Sequence, residues 1–149
     1  MSCLYCCLLS ALPAIEVRGS IPCLAALKCN PSYIALSYLI ATIVGILVYI
    51  FIEEILKVAE KFFEKFWKGG ARLLEKIIER TEKGAGEKVR KYGTLGLALF
   101  VAIPLPGTGV WSGALAAYLL GLDLKDTIIA LSVGNAIATA IMSASYLIH

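Results

Sequence analysis

From Ser32 to Ile52 the chain runs 21 residues without a charge, "SYIALSYLIATIVGILVYIFI". At 1.5 Å per residue a helix of that length covers about 30 Å, the thickness of a bilayer's hydrocarbon. A second uncharged run, "TIIALSVGNAIATAIMSASYLI", occupies residues 127–148. Two such runs in 149 residues, with 59% hydrophobic composition, predict an all-α integral membrane protein of one domain. The formal net charge of +3 is too small to suggest nucleic acid, and no RNA-binding, zinc-finger or glycine-rich phosphate-loop pattern occurs.

Two further apolar segments are interrupted. Residues 1–30 contain "PAIEVRGSIP", and residues 94–121 contain "IPLPGTGVWSG". Each leaves about a dozen apolar residues, or slightly fewer, on either side of its break. Ten helical residues reach only about 15 Å, half the hydrocarbon thickness. Each segment therefore reads as a re-entrant helical hairpin: helix in, turn at mid-depth, helix out. Two kinked full spans are the alternative. Irregular backbone at such depth survives only under cover of protein or a wet cavity.

Residues 53–92 separate the halves and hold eleven of the fourteen Lys/Arg and eight of the eleven acidic residues. Ile55, Leu56, Ala59, Phe62, Phe63, Phe66 and Trp67 recur at helical spacing, Gly69-Gly70 breaks the pattern, and Leu73, Leu74, Ile77 and Ile78 resume it up to Gly84-Ala85-Gly86. Two amphipathic helices lying on the membrane surface fit this, as does a helical pair packed on itself or on a partner. Asp123 and Asp126 have the spacing of a capping box before the last run.

The breaks resemble each other. "LPAIEVRGSIPCLAA" (12–26) aligns without gaps on "IPLPGTGVWSGALAA" (103–117), matching Pro13 to Pro104 and Leu24-Ala25-Ala26 to Leu115-Ala116-Ala117. The shared order, broken hairpin then full span, predicts two repeats. A hairpin returns to its own side and a span crosses once, so the second repeat is inverted relative to the first, a recurring plan of secondary transporters. The positive-inside rule places the charged middle segment in the cytoplasm and both termini outside.

Glu16 and Arg18 then lie at mid-depth, where ionisable groups mark a pathway or a site. They can pair with each other and lock the hairpin. Alternatively Arg18 holds an anionic head group through its forked donors, and the desolvated Glu16 carries a proton. In the second tip, Gly107 and Gly109 permit close backbone approach and Thr108 offers a hydroxyl; a plain tight turn reads the same way. Trp111 and Ser112 are candidate cavity residues. Small residues every fourth position, Ser37, Ala41 and Gly45 in one span and Ser132, Ala136, Ala140 and Ala144 in the other, predict the close helix contacts. Asn135 is a helix–helix hydrogen bond or a group supporting the site. The candidate site therefore comprises Glu16, Arg18, Gly19, Pro104, Pro106, Gly107, Thr108, Gly109 and Asn135.

The N-terminus lacks a basic leader, and charges interrupt its apolar core, so no cleaved signal peptide is expected. Five cysteines fall within residues 3–29. "CLYCC" lacks the second ligand pair of a zinc site, and the cysteines read as small apolar residues of the hairpin. A disulfide across it, such as Cys3 with Cys29, is the alternative. No metal, cofactor or nucleic acid is expected. The single histidine is terminal and no nucleophile–base set is visible, which argues against an enzyme.

At "ALPAIEVRGSIP" and "FVAIPLPGTGVWSGALAAYLLGL" the chain resembles the small multidrug export protein family, grouped with the DedA superfamily of membrane proteins. The resemblance covers nearly the whole chain. It implies paired re-entrant hairpins and proton-coupled translocation of lipids, polyprenyl phosphates above all. By position, Glu16 and Arg18 match the acidic and basic residues of the first hairpin, and Pro104, Pro106, Gly107, Thr108 and Gly109 match the second tip. The second hairpin here lacks the arginine that larger DedA proteins carry. The expectation is a small transporter or lipid flippase in the cell membrane, with membrane lipids, protons and a second copy of the chain as partners and an anionic amphiphile as cargo. A channel, or a structural membrane protein in which Glu16 and Arg18 merely pair, is the alternative.

Overall fold

The computed structural model describes residues 2–13, 15–67, 69–105 and 108–148, which form eight helices and, among the described residues, no strand. They are α1 (Ser2–Leu9), α2 (Glu16–Ala26), α3 (Ser32–Ile50), α4 (Ile52–Phe66), α5 (Gly70–Tyr92), α6 (Thr94–Ala102), α7 (Val110–Leu119) and α8 (Leu124–Ile148). α3 and α8 are the two helices long and apolar enough to cross a membrane. Each is preceded by a pair of short helices separated by an irregular stretch.

α1 and α2 fold back on each other; a disulfide from Cys6 to Cys23 joins them, and a second, from Cys3 to Cys29, ties α1 to the turn that follows α2. The fifth cysteine, Cys7, stays a buried thiol whose Sγ faces the Tyr33 carbonyl at 3.5 Å. Four cysteines are thus cross-links, not the small apolar residues that their spacing suggested; residues 17 and 26 positions apart meet only because the helix pair closes on itself. Removing either link is expected to cost about 2–4 kcal/mol, chiefly by freeing the unfolded chain. Thermal unfolding in detergent, with and without reductant, measures the effect.

α3 and α8 lie antiparallel. Going down α3, the Thr42 hydroxyl accepts from Asn135 Nδ2 at 2.9 Å, Gly45 sits at Leu131, and Tyr49 donates its hydroxyl to the Leu122 carbonyl at 2.6 Å. Each short pair also packs across the molecule: α2 lies on α8, and α7 lies on α3. At Gly45 a methyl group would come within 2.7 Å of Val110 Cβ, so only glycine lets α7 approach α3 this closely. Ser37, Ala41 and Gly45 are buried as their spacing predicts. Ser37 shares a 2.7 Å hydrogen bond with Ser20 of α2.

The corresponding expectation for α8 is corrected. Ala136, Ala140 and Ala144 are exposed and Ser132 is only half-buried; the helix packs instead through Ala130, Gly134 and Ala138. Gly134 faces Val101 and the Ala98 carbonyl of α6, 2.6 Å from where a Cβ would stand. Asp123 starts α8 as its spacing predicts, its Oδ1 accepting from the Asp126 N–H at 2.8 Å.

Gly69-Gly70 ends α4 and starts α5, because a side chain at Gly70 would run into the Phe63 ring. Gly84-Ala85-Gly86, by contrast, does not interrupt α5. Helix α5 continues to Tyr92, and its Thr81, Ala85 and Gly86 are buried where α6 lies against it. Here Gly84, against the Phe100 ring of α6, and the buried Ala85 serve helix contact instead of a turn. Gly93, at φ +61°, then reverses the chain into α6.

Candidate functional site

The two irregular stretches meet. Glu16 opens α2 and is 3% exposed, with its backbone at φ +45°, a left-handed conformation that costs a non-glycine residue about 1–2 kcal/mol. What holds it there is its carboxylate. Oε2 accepts from the Val110 N–H and Oε1 from the Trp111 N–H, each at 3.2 Å. These are free donors of the first turn of α7, the positive end of that helix. Gly109 passes so close that any Cβ would overlap the Glu16 carboxylate.

Arg18 does the converse. Its Nη1 donates to Glu16 Oε2 at 2.8 Å. Its Nη2 donates to the Val101 carbonyl at 2.9 Å and the Ile103 carbonyl at 2.7 Å, at the negative end of α6. Thr108 Oγ1 stands 3.4 Å from the same nitrogen and itself donates to the Ile103 or Leu105 carbonyl. Trp111 Nε1 adds a 3.3 Å bond to the Ala11 carbonyl. The acid and the base of the first break therefore cap, with matching sign, the two broken helix ends of the second. Glu16 is buried, Arg18 is largely covered, and the two are paired, which offsets part of the desolvation.

A cavity of about 350 Å³ opens beside this junction. Its walls are apolar, from Val48 and Ile52 through Ile55, Leu56 and Ala59 of α4 to Leu74 and Ile77 of α5 and Leu115 of α7. Glu16, Arg18 and Ser112 supply polar lining, and Trp111 forms part of the wall. Arg18 Nε is buried without a partner among the described residues.

Of the residues expected at the site, Glu16, Arg18, Thr108 and Gly109 are brought together. Gly19 packs inside α2 against Ile15. Pro104 is exposed and does not line the cavity. Pro106 and Gly107 lie outside the described residues. Asn135 is fully buried between α8 and α3, where its Nδ2 donates to Thr42 Oγ1 and to the Tyr38 carbonyl at 3.3 Å, a helix–helix hydrogen bond apart from the tips. What the sequence reading missed is the roles of Val101, Ile103, Val110 and Trp111. They act through backbone groups, which no side-chain motif reveals.

A family model described as "Putative small multi-drug export protein" matches residues 16–141, which include both tips, the charged helices and most of both long helices. No curated protein matches the chain, and no solved structure does.

Proposed function

We propose that this chain, which belongs to the small multi-drug export protein family, is a proton-coupled transporter of an anionic amphiphile. That it is a membrane protein follows from the family and from α3 and α8. The observation carrying the finer reading is the Glu16 carboxylate seated on the α7 N-terminus beside Arg18. Two backbone N–H groups and a guanidinium make an anion cradle, and the chain fills it with its own carboxylate. A proton delivered to Glu16 removes the charge that holds it there. A phosphate or carboxylate head group then takes its place, while Arg18 stays anchored on the Val101 and Ile103 carbonyls. The one proton on Glu16 offsets one charge of the head group, and the apolar cavity receives the adjoining hydrocarbon.

Three features support inverted repeats with re-entrant hairpins: antiparallel α3 and α8, the reciprocal packing of α2 on α8 and α7 on α3, and tips that meet inside the bundle. Val110 abuts Gly45, about 20 Å along α3 from Ser32 and about 8 Å from Ile50. Orientation is supported from both ends of α3. Disulfides persist on an oxidising, outer side, and the Lys/Arg-rich helices favour the cytoplasm. The placement in the DedA superfamily, with a polyprenyl phosphate as cargo, rests on the motif resemblance of the two tips.

The test is transport of a fluorescent short-chain prenyl phosphate in reconstituted vesicles across a pH gradient. Wild-type transport is expected to respond to the gradient, and Glu16→Gln is expected to abolish that response while the protein stays folded. An unchanged pH response in Glu16→Gln overturns the assignment. A second reading, that the ion pair only fastens the two tips, is favoured by its bonds to the Val101 and Ile103 carbonyls and to the Val110 and Trp111 N–H groups. Under it the wild type moves no prenyl phosphate at any pH.

A further inference from the structure

α4 has two apolar edges, and only one of them is used inside the molecule. Ile52, Ile55, Leu56 and Ala59 wall the cavity. The other edge is bare: Val58 is 67% exposed, Phe62 55% and Phe66 68%. Trp67 follows them at the helix end, also exposed. Phe62 stacks on Phe66, with ring centroids 5.0 Å apart, so the strip is a continuous aromatic surface. α5 differs, since its Thr81, Ala85 and Gly86 are buried where α6 lies against it.

What covers the strip is indicated by where it comes from. α4 follows directly on α3 across a single non-helical residue, Phe51, which is bridged by backbone bonds from its N–H to the Leu47 carbonyl and from the Ile55 N–H to its own carbonyl. The exposed apolar residues Ile43, Leu47 and Phe51, along α3 to its end, are four apart, and those of α4, Val58, Phe62 and Phe66, resume seven residues, about two turns, beyond Phe51. On α3, a helix long and apolar enough to cross a bilayer, that row is exposed. The 19 residues of α3 already reach about 28 Å, so α4 begins where the hydrocarbon ends. Lys57 and Lys61 ride on the opposite side of α4 with Glu53, Glu60 and Glu64, which gives the helix one charged and one apolar face.

We infer that α4 lies in the lipid–water interface, with Val58, Phe62, Phe66 and Trp67 seated among phospholipid head groups and upper acyl chains, while its other edge forms the wall of the cavity. Only this thin wall then separates the junction of Glu16 and Arg18 from the adjacent leaflet. The inference rests on the transporter reading only for its consequence, lateral entry of cargo from lipid; the docking itself stands apart from it.

The chain has two tryptophans, so Trp111→Phe leaves Trp67 as the sole reporter. In vesicles containing phosphatidylcholine brominated high on its acyl chain, at the roughly 5–10 Å depth such helices reach, emission is expected to fall about two-fold, with little quenching by aqueous iodide. Phe62→Asp in the same background is expected to reverse the two sensitivities. Iodide quenching without bromine quenching overturns the inference. So does protection that vanishes on dilution of protein in lipid, which would mean that a second copy covers the strip. Because Trp111 bonds to the Ala11 carbonyl, the wild type provides a second measurement with a photoreactive phospholipid. Insertion within residues 58–67 is expected, and labelling of α3 alone overturns the docking. These outcomes are independent of whether prenyl phosphate is moved.

Discussion

Replacing Arg18 with alanine is expected to destabilise the protein by about 3–5 kcal/mol, the range for removing one partner of a buried ion pair. The loss exceeds one contact because Arg18 does three things at once. It neutralises Glu16, which is 4% exposed along its side chain, and it holds the Val101 and Ile103 carbonyls at the end of α6. Without it the Glu16 carboxylate keeps the Val110 and Trp111 N–H groups but loses its counter-charge, and the Val101 and Ile103 carbonyls lose a charged donor. Reversible unfolding in mixed micelles measures the cost. The companion experiment exchanges the charges, Glu16→Arg with Arg18→Glu. If the pair served only itself, the exchange would restore stability. It is expected to fail here, because the carboxylate would face carbonyls and the guanidinium would face the N–H groups of α7. Recovery of wild-type stability in the exchanged protein refutes the matching of each charge to a helix end.

Gly109→Ala is expected to be nearly as costly, at about 3 kcal/mol or more. The backbone there, at φ −82°, accepts any residue, so the effect is steric. The new methyl would stand where the Glu16 carboxylate lies, forcing Glu16 off the Val110 and Trp111 N–H groups. Overpacking costs about 1–3 kcal/mol, and hydrogen bonds to a charged group contribute about 1.5–3 each. Gly86→Ala is the control. A Cβ at Gly86 in α5 meets nothing within 4 Å, and trading helical glycine for alanine is expected to stabilise by about 0.5–1 kcal/mol. Equal losses in both variants would show that the tip is not where Gly109 matters.

The long helices were legible because uncharged runs of bilayer length have few other uses. The breaks were legible from Pro13 and Pro104, but the first was read too long: Glu16 to Pro22, counted within it, belong to α2, where Pro22 sits inside the helix. The face by which α8 packs was not. In a helix whose lipid-facing and protein-facing sides are both apolar, periodicity carries no sign, and Ser132-Ala136-Ala140-Ala144 looks as suitable as Ala130-Gly134-Ala138. Gly84-Ala85-Gly86 was misread because glycine serves both turns and close helix packing, and only the nearness of α6 distinguishes them. Glu16 and Arg18 stood out as charges in an apolar segment. That each would hold a helix end some 83 to 95 residues away was hidden, since the partners are backbone groups that every residue possesses.

That separation bears on how the protein is made. Residues 16 and 18 leave the ribosome long before Val101, Ile103, Val110 and Trp111, and at roughly 5–20 residues per second the wait lasts about 5–20 s. Through that interval the newborn first half carries a cation and an anion whose backbone caps have not yet been synthesised. Until the second break arrives to receive them, Glu16 and Arg18 have only each other as partners, so the final docking of the first helix pair waits for the second half of the chain.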